Sequence, residues 1–320
     1  MTMTIRAVRT PTLADIDRAA RAVAQHLERT PVAAGMPELA LKLEGLQPTG
    51  SFKVRGALAA LSTVDADVPV VTASAGNHAL GVAFAAHVLG RRATVVTSAT
   101  ASPVKVAAIR RFDVDLVQVG TRYDDAERHA LELAARGAHF VSPYNDPDVI
   151  AGQATIGVEL AEQLPGPLTV VCGVGGGGLS AGLGLWASTR PDVRVVGVEP
   201  AASAAMAAAV AAGHQVPIEV GATLADGAAG NIEPGSVTID LVSRYVDELL
   251  TVTEDEIRDA IRFLATRCGV IAEGAAAAPV AAVLAGRVAT RGRAVAVVSG
   301  RNIAPAVLAE IVTAAGTRSA

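Results

Sequence analysis

The chain of 320 residues is 51% hydrophobic and 18% charged, with a formal net charge of -4 and a sequence pI near 5.9. It can bury a large core in one or two lobes and is not a disordered polymer. It lacks the basic excess that neutralises a phosphate backbone, and its nine aromatics are too few for base-stacking platforms, so nucleic acid is not an expected partner.

Thr12-Leu-Ala-Asp15 reads as a capping box, with Leu13, Ile16, Ala20, Val23 and Leu27 following at helical spacing. A strand is predicted over 68–72, a helix over 77–89 and a strand over 93–97. Ser102 reads as the cap of a helix that opens on Pro103, followed by a strand over 116–119 and a helix over 123–136. The second half repeats the alternation: strand 169–172, helix 179–189, strand 193–198, and an alanine-rich helix from about Ala201. Thr253-Glu-Asp-Glu256 is a second capping box opening a helix to about Cys268, and the last strand covers 294–298. Strands alternating with helices in two series imply an α/β protein of two lobes, with parallel sheets covered on both faces and a ligand crevice between them.

The N-terminal eleven residues contain no apolar core of a secretory signal. The uncharged stretch 168–189 holds six glycines between Gly173 and Gly182, so it reads as strand, loop and helix rather than a membrane span. Cys172 and Cys268 do not make a disulfide framework, so a reducing, cytoplasmic location is expected. No membrane partner is expected.

Four segments carry candidate chemistry. Gly173-Val-Gly-Gly-Gly-Gly178 follows a strand and opens a helix, and Glu199 ends the next strand, where a dinucleotide fold places its ribose-binding acid. Four successive glycines equally suit a loop whose backbone N–H groups wrap one phosphate, and the plainer alternative is a flexible turn. Thr49-Gly-Ser-Phe-Lys-Val-Arg-Gly-Ala57 holds Lys53, one of three lysines (42, 53 and 105) against 24 arginines. A lysine kept where arginine dominates suggests chemistry that needs a deprotonated amine, although a surface lysine at a helix start explains the segment equally well. Ser74-Ala-Gly-Asn-His78 lies between a strand and a helix N-terminus, which suits a carboxylate or an ordinary cap. Ser299-Gly-Arg-Asn302 directly follows the last strand, at a crevice or in a plain turn.

The order of these four motifs resembles the fold-type II pyridoxal-phosphate enzymes, and within them the threonine/serine dehydratase group that includes serine racemase. Further matching segments are Ile150-Ala-Gly-Gln-Ala-Thr-Ile-Gly157, Thr223-Leu-Ala-Asp-Gly227 and Val252-Thr-Glu-Asp-Glu-Ile257. The resemblance implies a two-lobed tryptophan synthase β-like architecture. Residues 1–68 and 146–320 would form the large cofactor-binding domain and 69–145 the small one. The implied cofactor is pyridoxal 5′-phosphate. Lys53 would carry it as an imine and later shuttle the Cα proton, with Phe52 packed beside the ring. Asn77 would hydrogen-bond the 3′-oxygen, and Gly175, Gly176, Gly177, Gly178 and Leu179 would hold the phosphate. Ser299 would face the pyridine nitrogen, where a neutral hydroxyl leaves carbanion charge near Cα and favours β-elimination over transamination. Ser74, Gly76, Asn77 and His78 would clamp the carboxylate of an amino-acid substrate.

The implied activity is dehydration of a β-hydroxy L-amino acid such as threonine or serine to a 2-oxo acid and ammonia, by a homodimer. Alternatives are a serine racemase of the same fold, a β-replacement synthase, or a catalytically silent binding protein. Ala75 stands where the racemases carry a serine that protonates the face opposite the lysine, which favours the dehydratase. Arg301 replaces a usual glycine and could crowd the ring nitrogen or point away. Metal-dependent relatives have a carboxylate shortly after the residue matching Glu199, whereas Ala201-Ala-Ser-Ala-Ala205 follows here, so no metal is expected. No segment follows the last helix to form a C-terminal regulatory domain, so feedback through one is not expected.

Overall fold

The computed structural model describes residues 6–314. The chain begins with α1 (Leu13–Ala24), the hairpin β1 (Val32–Met36) and β2 (Leu39–Leu43), and α2 (Lys53–Leu61). A β/α series follows: β3 (Val70–Ala73), α3 (Asn77–Val88), β4 (Ala93–Thr97), α4 (Pro103–Ile109), β5 (Asp115–Gln118), α5 (Tyr123–Ala135) and β6 (His139–Phe140). The long helix α6 (Pro147–Gln163) leads into β7 (Leu168–Gly173), α7 (Gly178–Ala187), β8 (Val193–Pro200) and α8 (Ala205–Ala212). Then come α9 (Val237–Tyr245), β9 (Glu248–Val252), α10 (Glu254–Arg267), α11 (Gly274–Leu284), β10 (Arg293–Val298) and α12 (Pro305–Thr313).

Both capping boxes form. The Asp15 N–H donates to the Thr12 hydroxyl at 3.3 Å while the Thr12 N–H donates to the Asp15 carboxylate at 2.8 Å, and Thr253 and Glu256 repeat the pattern. These exchanges satisfy helix donors that otherwise lack partners. Two expectations change. Ser102 precedes α4 with Pro103 in the first turn, but its side chain makes no capping bond. The alanine-rich helix starts at Ala205, not Ala201, because residues 201–203 form a separate single turn. Glu199 explains the start: its two carboxylate oxygens accept the N–H groups of Met206 and Ala207 at 2.7 and 2.9 Å. Elements without a strong periodic signal were missed, namely the β1–β2 hairpin, α2, β6, α6, α9, β9, α11 and α12.

The strands form two sheets. One has the order β1-β2-β10-β7-β8-β9 and the other β5-β4-β3-β6. Every neighbouring pair is parallel except β1 with β2. Strand β10 lies between β2 and β7, and from Ala294 to Val298 it is at most 2% exposed. Such an unbroken apolar run is what a strand covered on both faces requires.

A buried ionic cluster ties α2 to the larger sheet. The Arg55 guanidinium grips both Glu44 oxygens at 2.7 and 2.8 Å and reaches Glu159 on α6 at 2.7 Å. Lys42 on β2 bonds Glu159, the Gln163 side chain and the Thr30 carbonyl. Burial pushes the Glu44 carboxyl up, but Arg55 outweighs it and holds the group below its usual range. Lys42 thus serves the structure, with its side chain fully buried among these partners.

Arg55→Met is expected to lower unfolding stability by about 3–5 kcal/mol, because it strands Glu44 as an unpaired buried charge. Urea denaturation checks this. A loss below about 1 kcal/mol, the level of an exposed pair, would show that the cluster does not anchor α2.

Candidate active site

Both sheets reverse their direction of winding, and the reversals face each other. In the larger sheet the chain runs from β7 to β8 to β9 and then returns to β10 on the other side of β7. In the smaller sheet it runs from β3 to β4 to β5 and returns to β6 on the other side of β3. A crevice opens beyond the carboxyl ends of parallel strands at such switch points. The loops leaving β2, β10 and β7 carry Lys53, Ser299 and the glycine run. Those leaving β3 and β6 carry residues 74–78 and 141–145.

The Lys53 loop is stapled to the loop after β10. Ser51 bridges Gly300, the Phe52 N–H donates to the Ser299 carbonyl at 2.9 Å, and the Arg301 N–H donates to Gly50 at 2.9 Å. Gly50 adopts φ +75°, a left-handed turn in which any Cβ would also overlap Asn302. The Arg301 side chain is exposed, so it does not crowd the site. The Lys53 ammonium crosses to the smaller lobe and donates to the Pro143 carbonyl at 2.7 Å, with the Phe52 ring centroid 5.2 Å away. Burial pulls its pKa down to about 8, with Glu273 pulling weakly the other way. An amine desolvated to that degree is a nucleophile near neutral pH.

The glycine loop is packed too closely for side chains. A Cβ on Gly176 would overlap the Tyr144 ring, and one on Gly177, at φ +86°, would overlap Met206. The Thr238 hydroxyl holds the Gly176 carbonyl at 2.8 Å. The N–H groups of 175–180 find no partner among the described residues, which leaves a nest of donors at the start of α7. Across the crevice, Gly76 precedes α3 and its N–H donates to the Ser74 hydroxyl at 3.1 Å. The first-turn N–H groups of α3 are left for an anion.

The His78 imidazole turns away from that anion seat. Its Nε2 bonds the Val141 carbonyl at 3.1 Å, so this nitrogen carries the proton. Burial and the nearby Lys53 push its pKa down to about 3. The neutral ring leaves Nδ1 buried and unpartnered, able to accept but not to donate. Any carboxylate contact from His78 therefore comes from its backbone N–H.

Two polar residues were missed by sequence reasoning. Glu273 Oε1 accepts the Asn77 amide at 2.7 Å, and Asn302 donates to Asn77 Oδ1 at 2.7 Å. Asn302 was noticed in its motif without a role. Glu273 left one signal: it is the sole charged residue between Arg267 and Arg287. Ser299 is 4% exposed and its hydroxyl finds no partner among the described residues, nor does the buried Ser51 hydroxyl. Glu199 lies apart, capping α8, and burial raises its pKa to about 7. Among the described residues no three His, Cys, Asp or Glu side chains cluster as metal ligands.

A sequence family described as "Pyridoxal-phosphate dependent enzyme" matches residues 23–300. A relative from Thermotoga maritima, L-threonine ammonia-lyase, is 44% identical over 305 residues, covering 91% of this chain and 76% of the relative. The solved structure of a threonine deaminase from T.th. superposes with a TM-score of 0.84 at 36% identity, over 92% of this chain and 99% of that one. Maize serine racemase superposes with a TM-score of 0.88 at 28% identity, over 94% and 97%.

The residues present fit this cofactor. The desolvated amine suits its aldehyde, the unpartnered N–H nest suits its phosphate, and the free Ser299 hydroxyl suits a ring nitrogen. Because the amine reacts only when deprotonated, the rate at which the cofactor-free chain captures pyridoxal phosphate is expected to rise with pH and level off above about 8. Stopped-flow absorbance checks this. A rate still climbing at about 10.4, the value of an ordinary lysine, would contradict the desolvated amine.

Proposed function

We propose that this chain, which belongs to the pyridoxal-phosphate dependent enzymes, is an ammonia-lyase that converts a β-hydroxy L-amino acid, threonine foremost, to a 2-oxo acid and ammonia. The observation that carries the reading is a desolvated amine, Lys53, in the same crevice as the donor-rich α3 N-terminus, whose preceding turn offers the Ala75 methyl where a second proton donor would be needed.

The cofactor, when bound, supplies the electron sink for the pair left when Cα loses its proton. The chain's own residues do the rest. Gly175, Gly176, Gly177, Gly178 and Leu179 offer backbone donors to the phosphate, and Asn77 offers its amide at the 3′-oxygen. Phe52 packs beside the amine. Ser299 presents a neutral hydroxyl to the ring nitrogen, which leaves more charge near Cα than a carboxylate would and so favours loss of the β-substituent. Ser74, Gly76, Asn77 and His78 seat the substrate carboxylate on the α3 N-terminus. Lys53, neutral above about pH 8, takes the Cα proton. His78, neutral throughout the working range, neither adds charge to the crevice nor competes for that proton. The released enamine product needs only water to give the 2-oxo acid and ammonia.

The reading divides the chain into a small lobe, 69–145, and a cofactor-holding remainder. The separate four-stranded sheet from Val70 to Phe140 supports that division. A cytoplasmic homodimer belongs to the same reading, supported by the free cysteines Cys172 and Cys268 and by the resemblance. Among the described residues no helix is long and apolar enough to cross a membrane.

The shape shared with serine racemase makes racemisation the rival. Racemisation needs a second proton donor on the face opposite Lys53, and the Ala75 methyl cannot serve. L-Threonine and L-serine are therefore expected to yield 2-oxo acids and ammonia with negligible D-amino acid, and Ala75→Ser is expected to raise D-product measurably. Chiral chromatography alongside 2-oxo acid assay decides. Substantial D-serine or D-threonine from the unmodified enzyme would make it a racemase.

A further inference from the structure

We propose that Glu273 is the positioning residue that fixes the Asn77 carboxamide, and with it the edge of the site where the cofactor's 3′-oxygen belongs. The inference rests on the cofactor reading given above. Glu273 occupies the position before α11 from which a side chain commonly caps a helix, yet it makes no capping bond. Its carboxylate turns across the crevice instead, is 8% exposed, and accepts Asn77 Nδ2 at 2.7 Å.

An amide side chain can flip end for end unless its two ends meet different partners. Here they do. Asn302 Nδ2 donates to Asn77 Oδ1 at 2.7 Å and is itself held by the Thr49 carbonyl at 3.0 Å. Asn77 Oδ1 thus faces a donor and Nδ2 an acceptor, so one orientation is enforced. Nδ2 carries two hydrogens. Glu273 takes one and leaves the other for the ligand.

Glu273 also braces the far side of the ring seat. Its N–H donates to the Gly300 carbonyl at 3.1 Å, and its carboxylate lies so close to Gly300 that a Cβ there would overlap Oε1. Gly300 follows Ser299, so one buried acid touches the supports of both polar contacts at the ring edge. The charged groups facing it are Asp226 from the loop before α9, Lys105 from α4, and Lys53 from α2, and Lys105 pairs with Asp226 at 3.2 Å. Burial first, then Asp226, raises the Glu273 pKa to about 7. Its charge therefore changes near neutral pH.

The test uses the holoenzyme with Glu273→Ala, Glu273→Gln and Asn302→Leu. Glu273→Ala should lower kcat about 10- to 100-fold, the effect of losing one hydrogen bond to a charged group, with KM for threonine changed less than about threefold. The visible band of the bound cofactor should shift, because the contact at its 3′-oxygen is no longer fixed. Glu273→Gln keeps an acceptor oxygen, so it should restore the band position and most of kcat. It should also abolish a spectral titration that the unmodified enzyme shows near pH 7. Asn302→Leu, which frees the other end of the same carboxamide from an exposed loop, should reproduce the band shift even if Glu273→Ala does not fold. A Glu273→Ala enzyme with unchanged band and kcat would overturn the inference, as would Glu273→Gln as impaired as Glu273→Ala or Asn302→Leu with an unshifted band. These outcomes are distinct from failure of the cofactor reading, which would appear as an unmodified chain that takes up no pyridoxal phosphate at all and would remove both.

Discussion

Everything at the crevice depends on where strand β10 lies. The last strand of the chain inserts between β2 and β7, so loops almost 250 residues apart in sequence (the Gly50–Lys53 turn and the Ser299–Asn302 turn) become hydrogen-bonded neighbours. The same insertion places the glycine loop beside them, at the end of β7. The smaller sheet contributes the matching reversal between β3 and β6, and the Lys53–Pro143 hydrogen bond joins the two. The apolar sequence of β10 makes this possible, since only a strand without charged side chains over 294–298 can be covered on both faces.

Burial does different things to the charges around this centre. In the cluster of Glu44, Arg55, Glu159 and Lys42, each buried group is paired with one of opposite charge, which fixes the helix that begins at Lys53. At the crevice the compensation is left incomplete. Lys53 has a carbonyl but no carboxylate within hydrogen-bonding distance, so desolvation dominates and the amine is easily deprotonated. His78 meets a carbonyl as well and stays neutral. Glu273 meets the Asn77 amide and a backbone donor, with no cation within hydrogen-bonding distance, and burial raises its pKa to about 7. The contrast separates the structural charges from the chemical ones without reference to sequence position.

Much of this was legible in the sequence where local rules act. The capping boxes at Thr12 and Thr253, the strand–glycine–helix of residues 173–178 and the alternation of strands and helices are set by neighbours within a few positions. Lys53 stood out because arginine replaces lysine almost everywhere else. The rest depends on contacts across the fold. The alanine-rich helix begins at Ala205 because Glu199, on the preceding strand, accepts its first donors. Lys42, a second retained lysine, is explained only by partners on α6 more than 100 positions away. Glu273 was passed over because nothing in its alanine-rich surroundings shows that the chain folds Asn77, 196 positions away, against it. The scarcity of charge around Glu273 was the available clue.

The central claim is that the two reversals meet at one desolvated amine that holds the cofactor. With lysines only at 42, 53 and 105, borohydride reduction of the holoenzyme followed by peptide mass mapping tests it directly. The account predicts the added pyridoxyl mass on the peptide containing Lys53 and on no other. Stoichiometric label on the peptide of Lys42 or Lys105, or a colourless chain that takes up no label, would contradict it.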